Sequence, residues 1–245
     1  MRTRIKGVGF DRLDAAGALE RAAELMRAPG CAYAVTPNPE ILWLARRQPE
    51  LREALNGADL VIPDGIGVIY ASRILGDPLP GRVPGIELAS ALMEKLASAG
   101  ESVYLLGAKP GVAERAAARL QAQYPGLAIA GTHDGYFKED GPVLEAVRQC
   151  RPALLLVCIG FPRQELWMAK YRQELPAGLM MGLGGSLDVF AGDVKRAPPL
   201  WRRLNLEWLY RLVTQPSRLG RMLKLPVFLL SVVWERVTHG KTDRI

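Results

Sequence analysis

Up to residue 194, short unbroken apolar runs alternate with longer stretches of helical periodicity. The runs are CAYAVT (31–36), ADLVIPDG (58–65), SVYLLG (102–107), LAIAGT (127–132), ALLLVCIG (153–160) and GLMMGLGG (178–185). None alternates apolar with polar, so each reads as a strand covered on both faces. Between them, segments 39–55, 84–99, 110–123, 140–149 and 162–174 carry helical patterns, several opened by proline or a turn residue. Continuous apolar strands separated by amphipathic helices predict a Rossmann-like α/β fold, a mostly parallel sheet with helices on both faces. There is no internal repeat and no low-complexity linker.

After KRAPP (195–199) the pattern changes to WRRLNLEWLYRLV and then SRLGRMLKLPVFLLSVVWERV, which read as basic amphipathic helices. Charge changes at the same place. Residues 195–245 hold 11 Lys and Arg against 3 Asp and Glu, whereas residues 1–194 hold 21 against 22. Two independent signals therefore divide the 245 residues into an α/β core, 1–194, and a C-terminal basic helical appendage, 195–245. Such a tail calls for an anionic partner: nucleic acid, anionic lipid or a phosphorylated substrate. Its longest apolar stretch, 225–234, contains Pro226 and Ser231 and falls short of the roughly 20 residues that cross a bilayer. The opening MRTRIKGVGFDRLD lacks the apolar centre of a signal peptide, so a cytoplasmic location is expected. Cys31 and Cys158 lie in or beside apolar runs and read, with Cys150, as thiols of a reducing compartment.

In open α/β sheets ligands bind beyond the carboxyl ends of the strands, which selects positions 36–40, 64–67, 107–109, 132–137, 160–165 and 184–188. Asp64, between a strand and two glycines in VIPDGIG, is placed either to act as a general base or to cap the next helix. TPNPE presents Thr36 and Asn38 on a rigid turn, for a ligand or for capping alone. IGFPRQE resembles a helix N-terminus open to an anion, with Arg163 and Gln164 in reach; ordinary helix initiation explains Pro162 and Glu165 but leaves Gly160 unexplained. His133 also stands near a strand end, where a lone histidine is more often structural.

GLGGSLD lacks the last glycine of a dinucleotide fingerprint, so no nicotinamide cofactor is expected. HExxH, CxxC, GxxxxGK[ST] and GxSxG are all missing, which removes the usual support for metalloprotease, zinc-module, P-loop and hydrolase readings. There is also no Asp-x-Asp pair of the kind that holds a metal on a nucleotide diphosphate, so departing diphosphate charge would need arginine.

Taken in order, TPNPE, the PDG of Asp64, GRVPG (81–85), GTHDGYF (131–137), GFPRQE, GGSLD, RAPP (196–199), LEWLYRL and QPSRLGR resemble the WecG/TagA/CpsF glycosyltransferases from about residue 5 to about residue 225. One departure is Arg163, where the family usually has lysine. The resemblance implies a metal-independent, inverting enzyme that needs no cofactor. Its donor would be a UDP-sugar, typically UDP-N-acetylmannosamine, and its acceptor the 4-hydroxyl of N-acetylglucosamine on undecaprenyl diphosphate. It implies Asp64 as the base, with Thr36, Asn38, Arg82, Gln164, Tyr136 and Asp188 binding substrate, and Arg211, Arg218 and Arg221 closing over the donor diphosphate. The appendage would then dock on the anionic inner face of the membrane, with Leu223, Leu225, Phe228, Leu229 and Trp234 entering the interface. Two alternatives stay open. One is another donor, UDP-N-acetylmannosaminuronic acid or UDP-glucose. The other is a nucleic-acid-binding protein, which would leave the strand-end motifs unexplained and shows no recognition helix; no nucleic-acid partner is expected.

Overall fold

The computed structural model describes residues 1–214 and 224–239. The chain opens with an antiparallel hairpin, β1 (Arg2–Ile5) and β2 (Val8–Asp11), followed by α1 (Ala15–Arg27), whose first turn is capped by Asp14 accepting from the Gly17 N–H at 2.8 Å. Then come β3 (Ala32–Val35), α2 (Pro39–Ala45), α3 (Pro49–Asn56), β4 (Leu60–Val61), α4 (Ile66–Leu75) and α5 (Gly85–Ala99). The second half runs β5 (Ser102–Gly107), α6 (Val112–Gln123), β6 (Ala128–His133), α7 (Asp140–Cys150), β7 (Leu154–Cys158), α8 (Arg163–Tyr171), β8 (Leu179–Gly182) and α9 (Ser186–Phe190). Among the described residues, three helices follow the core: α10 (Pro199–Arg203), α11 (Glu207–Thr214) and α12 (Lys224–His239).

All six expected strands join one parallel sheet in the order β4-β3-β8-β7-β5-β6. Because successive strand residues point to opposite faces, each strand feeds two cores. Tyr33, Val35, Leu106, Leu155, Val157 and Met180 face α2, α3, α4, α7 and α8. Ala32, Ala34, Leu105, Leu154, Leu156 and Met181 face α1, α5 and α6. This double burial is why β3, β7 and β8 carry no polar alternation. β6 departs from that expectation: at the sheet edge its residues are half-buried or exposed. The expected single helix over 39–55 is two helices, since Pro49 supplies no N–H for a continuous ladder and disfavours helical backbone just before it.

The last helix corrects the expected membrane face. Phe228 and Val232 are fully buried, packed with the α2 and α4 core, and Leu229 packs partly against it. Leu225 is wedged beside the first turn of α4, where a Cβ on Gly67 would fall 2.5 Å from its Cδ1 and 2.6 Å from Pro39 Cγ. Lys6, from the opening hairpin, pairs with Glu235 at 2.7 Å and donates to the Ser231 carbonyl at 2.7 Å. Phe228, Leu225 and Leu229 are therefore seated on the body. Val227, Leu230, Val233, Trp234 and Val237 make the exposed apolar side. Leu223 lies outside the described residues.

Candidate active site

From β3 the chain passes outward to β4, then crosses to the other half of the sheet for β5 and β6. The strand order reverses beside β3 and β8, and the crevice beyond their carboxyl ends is the favoured ligand site of such a sheet. Hydrogen bonds knit the surrounding turns together. The Thr36 hydroxyl, 9 % exposed, donates to the Gly182 carbonyl at 3.2 Å. The Asp64 N–H donates to Pro37 O at 3.4 Å, and the Val83 N–H to Pro63 O at 3.0 Å. The Gly184 N–H donates to Gln164 Oε1 at 3.0 Å. Thr36, Asn38, Asp64, Arg82 and Gln164, far apart in sequence, thus share one rim.

Asp64 is not the N-cap residue of α4. The N-cap is Gly65, at φ 112° and with no side-chain capping bond, a backbone conformation costly for a residue bearing a Cβ. Asp64 itself is half-buried and follows the strand end directly. Asn38 does cap: its Oδ1 accepts from Glu40 N–H at 2.9 Å and Ile41 N–H at 3.1 Å. Its Nδ2 amide remains the group with which it can meet a ligand.

Gln164 is 3 % exposed and fully engaged on its oxygen. Its Nε2 donates to Glu165 Oε1 at 2.8 Å, while Glu165 Oε2 is buried without a partner among the described residues. Burial pushes the Glu165 carboxyl above its ordinary range, and the bond from Gln164 works in the opposite direction. The carboxylate of Asp188, in the first turn of α9, lies near Cys158. That thiol is pushed up to about 12, first by burial and further by this neighbouring charge.

Tyr136 stands on the rim beyond β6 and is 67 % exposed. Its loop is fixed by Arg163, whose Nη1 and Nη2 donate to the Gly135 and Phe137 carbonyls at 2.8 and 3.1 Å, with the guanidinium 4.2 Å from the Phe137 ring centroid. Arg163 is thus committed to ordering this loop by a two-pronged contact that lysine cannot make. His133 packs edge-on against Phe137, with Nδ1 2.8 Å from the Asp134 carbonyl, the structural use expected of a lone histidine.

Arg82 reaches across to Glu207 of α11 at 3.4 Å, both side chains being largely buried. This ties the appendage to the rim. Glu207 was missed as a partner, although it stands in the LEWLYRL motif. Trp201 and Tyr210 pack at 5.8 Å to join α10 to α11. Arg211 belongs to α11, whereas Arg218 and Arg221 lie outside the described residues. Among the described residues, no three His, Cys, Asp or Glu side chains converge as metal ligands, and no helix is long and apolar enough to cross a membrane.

The family model for the glycosyl transferase WecG/TagA/CpsF family matches residues 3–242. Relatives named N-acetylglucosaminyldiphosphoundecaprenol N-acetyl-beta-D-mannosaminyltransferase are 40 % identical in Bacillus spizizenii over 82 % of this chain and 79 % of the relative. The relative from Bacillus subtilis is 37 % identical over 82 % of this chain and 78 % of its own length. That from Staphylococcus aureus is 38 % identical over 82 % and 79 %. The chain belongs to the WecG/TagA/CpsF family of glycosyltransferases.

Proposed function

We propose that this family member transfers N-acetylmannosamine from its UDP conjugate to the 4-hydroxyl of N-acetylglucosamine on undecaprenyl diphosphate, with inversion to a β-linkage and without a metal, in synthesis of a cell-wall or surface polymer. The observation that supports this reading is the convergence of Thr36, Asn38, Asp64, Arg82 and Gln164 on the switch-point rim of a chain whose relatives are named as N-acetylmannosaminyltransferases of N-acetylglucosaminyldiphosphoundecaprenol. Asp64 takes the proton of the acceptor hydroxyl as its oxygen attacks the anomeric carbon, and UDP leaves from the opposite face. Asn38 Nδ2 and the Thr36 hydroxyl orient the sugars. The arginines 211, 218 and 221 take up the developing diphosphate charge, and Arg82, supported by Glu207, holds the acceptor. Asp188 and Tyr136 border the donor side.

The enzyme works as a peripheral protein on the cytoplasmic face of the membrane. The acceptor is lipid-borne, residues 195–245 carry the excess positive charge, and α12 turns Val227, Leu230, Trp234 and Val237 to the outside. The test is incubation with a panel of UDP-sugars and a short-chain polyprenyl-diphosphate N-acetylglucosamine in EDTA. UDP-N-acetylmannosamine is expected to give the β-linked disaccharide lipid. Transfer from UDP-glucose or UDP-N-acetylmannosaminuronic acid alone would replace the donor, and no product from any donor would contradict the reading.

A further inference from the structure

Beside the rim, at the start of α5, four guanidinium groups gather around two carboxylates. Arg82 precedes the helix and pairs with Glu207. Arg196 and Arg202 share one oxygen of Glu87, in the first turn of α5, at 2.8 and 3.3 Å. Arg203 has no carboxylate in ion-pair distance among the described residues. The cluster therefore keeps two positive charges more than it neutralises. Glu87 does not satisfy it in hydrogen bonds either, because the Nε–H groups of Arg196 and Arg202 are buried with no acceptor among the described residues. Arg82, Glu87, Pro199, Arg202 and Arg203 line a recess of about 310 Å³. The recess adjoins the rim: a Cβ on Gly85, which opens α5, would fall 2.8 Å from Thr36 Cγ2.

We propose that this recess is a diphosphate subsite in which Arg202 and Arg203, with Arg82, hold the diphosphate of the lipid-linked acceptor. Guanidinium forks match phosphate oxygens in pairs, and the unbalanced charge equals that of a diphosphate with one negative charge on each phosphate. The inference rests on the transfer reading above, in which two diphosphates meet at one rim. Arginines 211, 218 and 221 are assigned to the nucleotide's diphosphate, so the acceptor's needs a second set of cations. Arg203 is the cleanest handle, because its removal breaks no ion pair.

The test is calorimetric binding of geranyl diphosphate, geranyl monophosphate, UDP and UMP to the full chain and to Arg203→Ala, Arg203→Lys and Arg202→Lys/Arg203→Lys. The expected result is a wild-type preference for geranyl diphosphate over the monophosphate. Arg203→Ala should weaken diphosphate binding about tenfold, Arg203→Lys should recover part of the loss, and UDP affinity should not change. A loss confined to UDP would overturn the assignment to the acceptor. Equal losses for geranyl mono- and diphosphate, or no loss on any arm, would overturn the proposal. Binding needs no turnover, so a chain that passes this test yet transfers no sugar refutes the transfer reading alone. A chain that transfers sugar without any diphosphate preference refutes the subsite alone.

Discussion

Glu165 is 1 % exposed beside the rim, with one carboxylate oxygen accepting from Gln164 and the other buried without a partner among the described residues. Burial raises its carboxyl above the ordinary value of 4.5, so the protonated form suits the folded state. The stability this group contributes is full below that value and is lost as pH rises through its raised one. Glu165→Gln keeps the shape and the bond from Gln164 but cannot ionise. Its advantage over wild type should therefore grow as pH rises from about 5, with a slope of at most about 1.4 kcal/mol per pH unit. Urea unfolding across that range checks this, and a difference independent of pH would contradict it. The sequence makes Thr36, Asn38 and Asp64 legible because they end apolar strands between prolines or glycines. Glu165 is not legible in this way: an acidic residue in a first helical turn looks like dipole complementarity, and only the tertiary fold reveals that it is sealed. Likewise Asn38 reads as ligand-binding or capping, and its oxygen does cap.

Among the elements, α12 is held by burial on one side. Phe228→Ala should cost about 3–5 kcal/mol in denaturant unfolding, whereas Leu230→Ser on the outer side should change stability by under about 0.5 kcal/mol. Equal costs would mean that the helix is not seated as described. The sequence could not choose between these sides, since LKLPVFLLSVVW is apolar nearly all round and offers no single stripe. The same reason hides α4, where apolar residues surround the helix and two glycines, Gly65 and Gly67, flank its first residue. Alanine-rich α1 was also missed, its small side chains drawing only faint apolar rows. The six strands were legible because a parallel sheet covered on both faces demands uninterrupted apolar runs, and only their ends required the structure.

At the scale of the whole molecule, the charge step near residue 195 and the outward apolar side of α12 belong to one surface argument. Liposomes containing anionic lipid should float the wild-type chain, and added salt should weaken this. Leu230→Ser/Trp234→Ser should float less while melting at the wild-type temperature; equal flotation would remove α12 from membrane docking. The appendage also supplies Glu207 to Arg82, so docking and the rim are mechanically joined. The charge step was legible in the sequence, whereas this joint was not, because a pair 125 residues apart leaves no periodic trace. The central claim is that Asp64, at the strand end beside Gly65, is the base of an inverting glycosyl transfer. Its most direct test compares Asp64→Asn with wild type for UDP-N-acetylmannosamine affinity and acceptor-dependent UDP release. Donor affinity should be preserved and turnover reduced by about 10²–10⁴-fold; near-normal turnover in the variant would contradict the account.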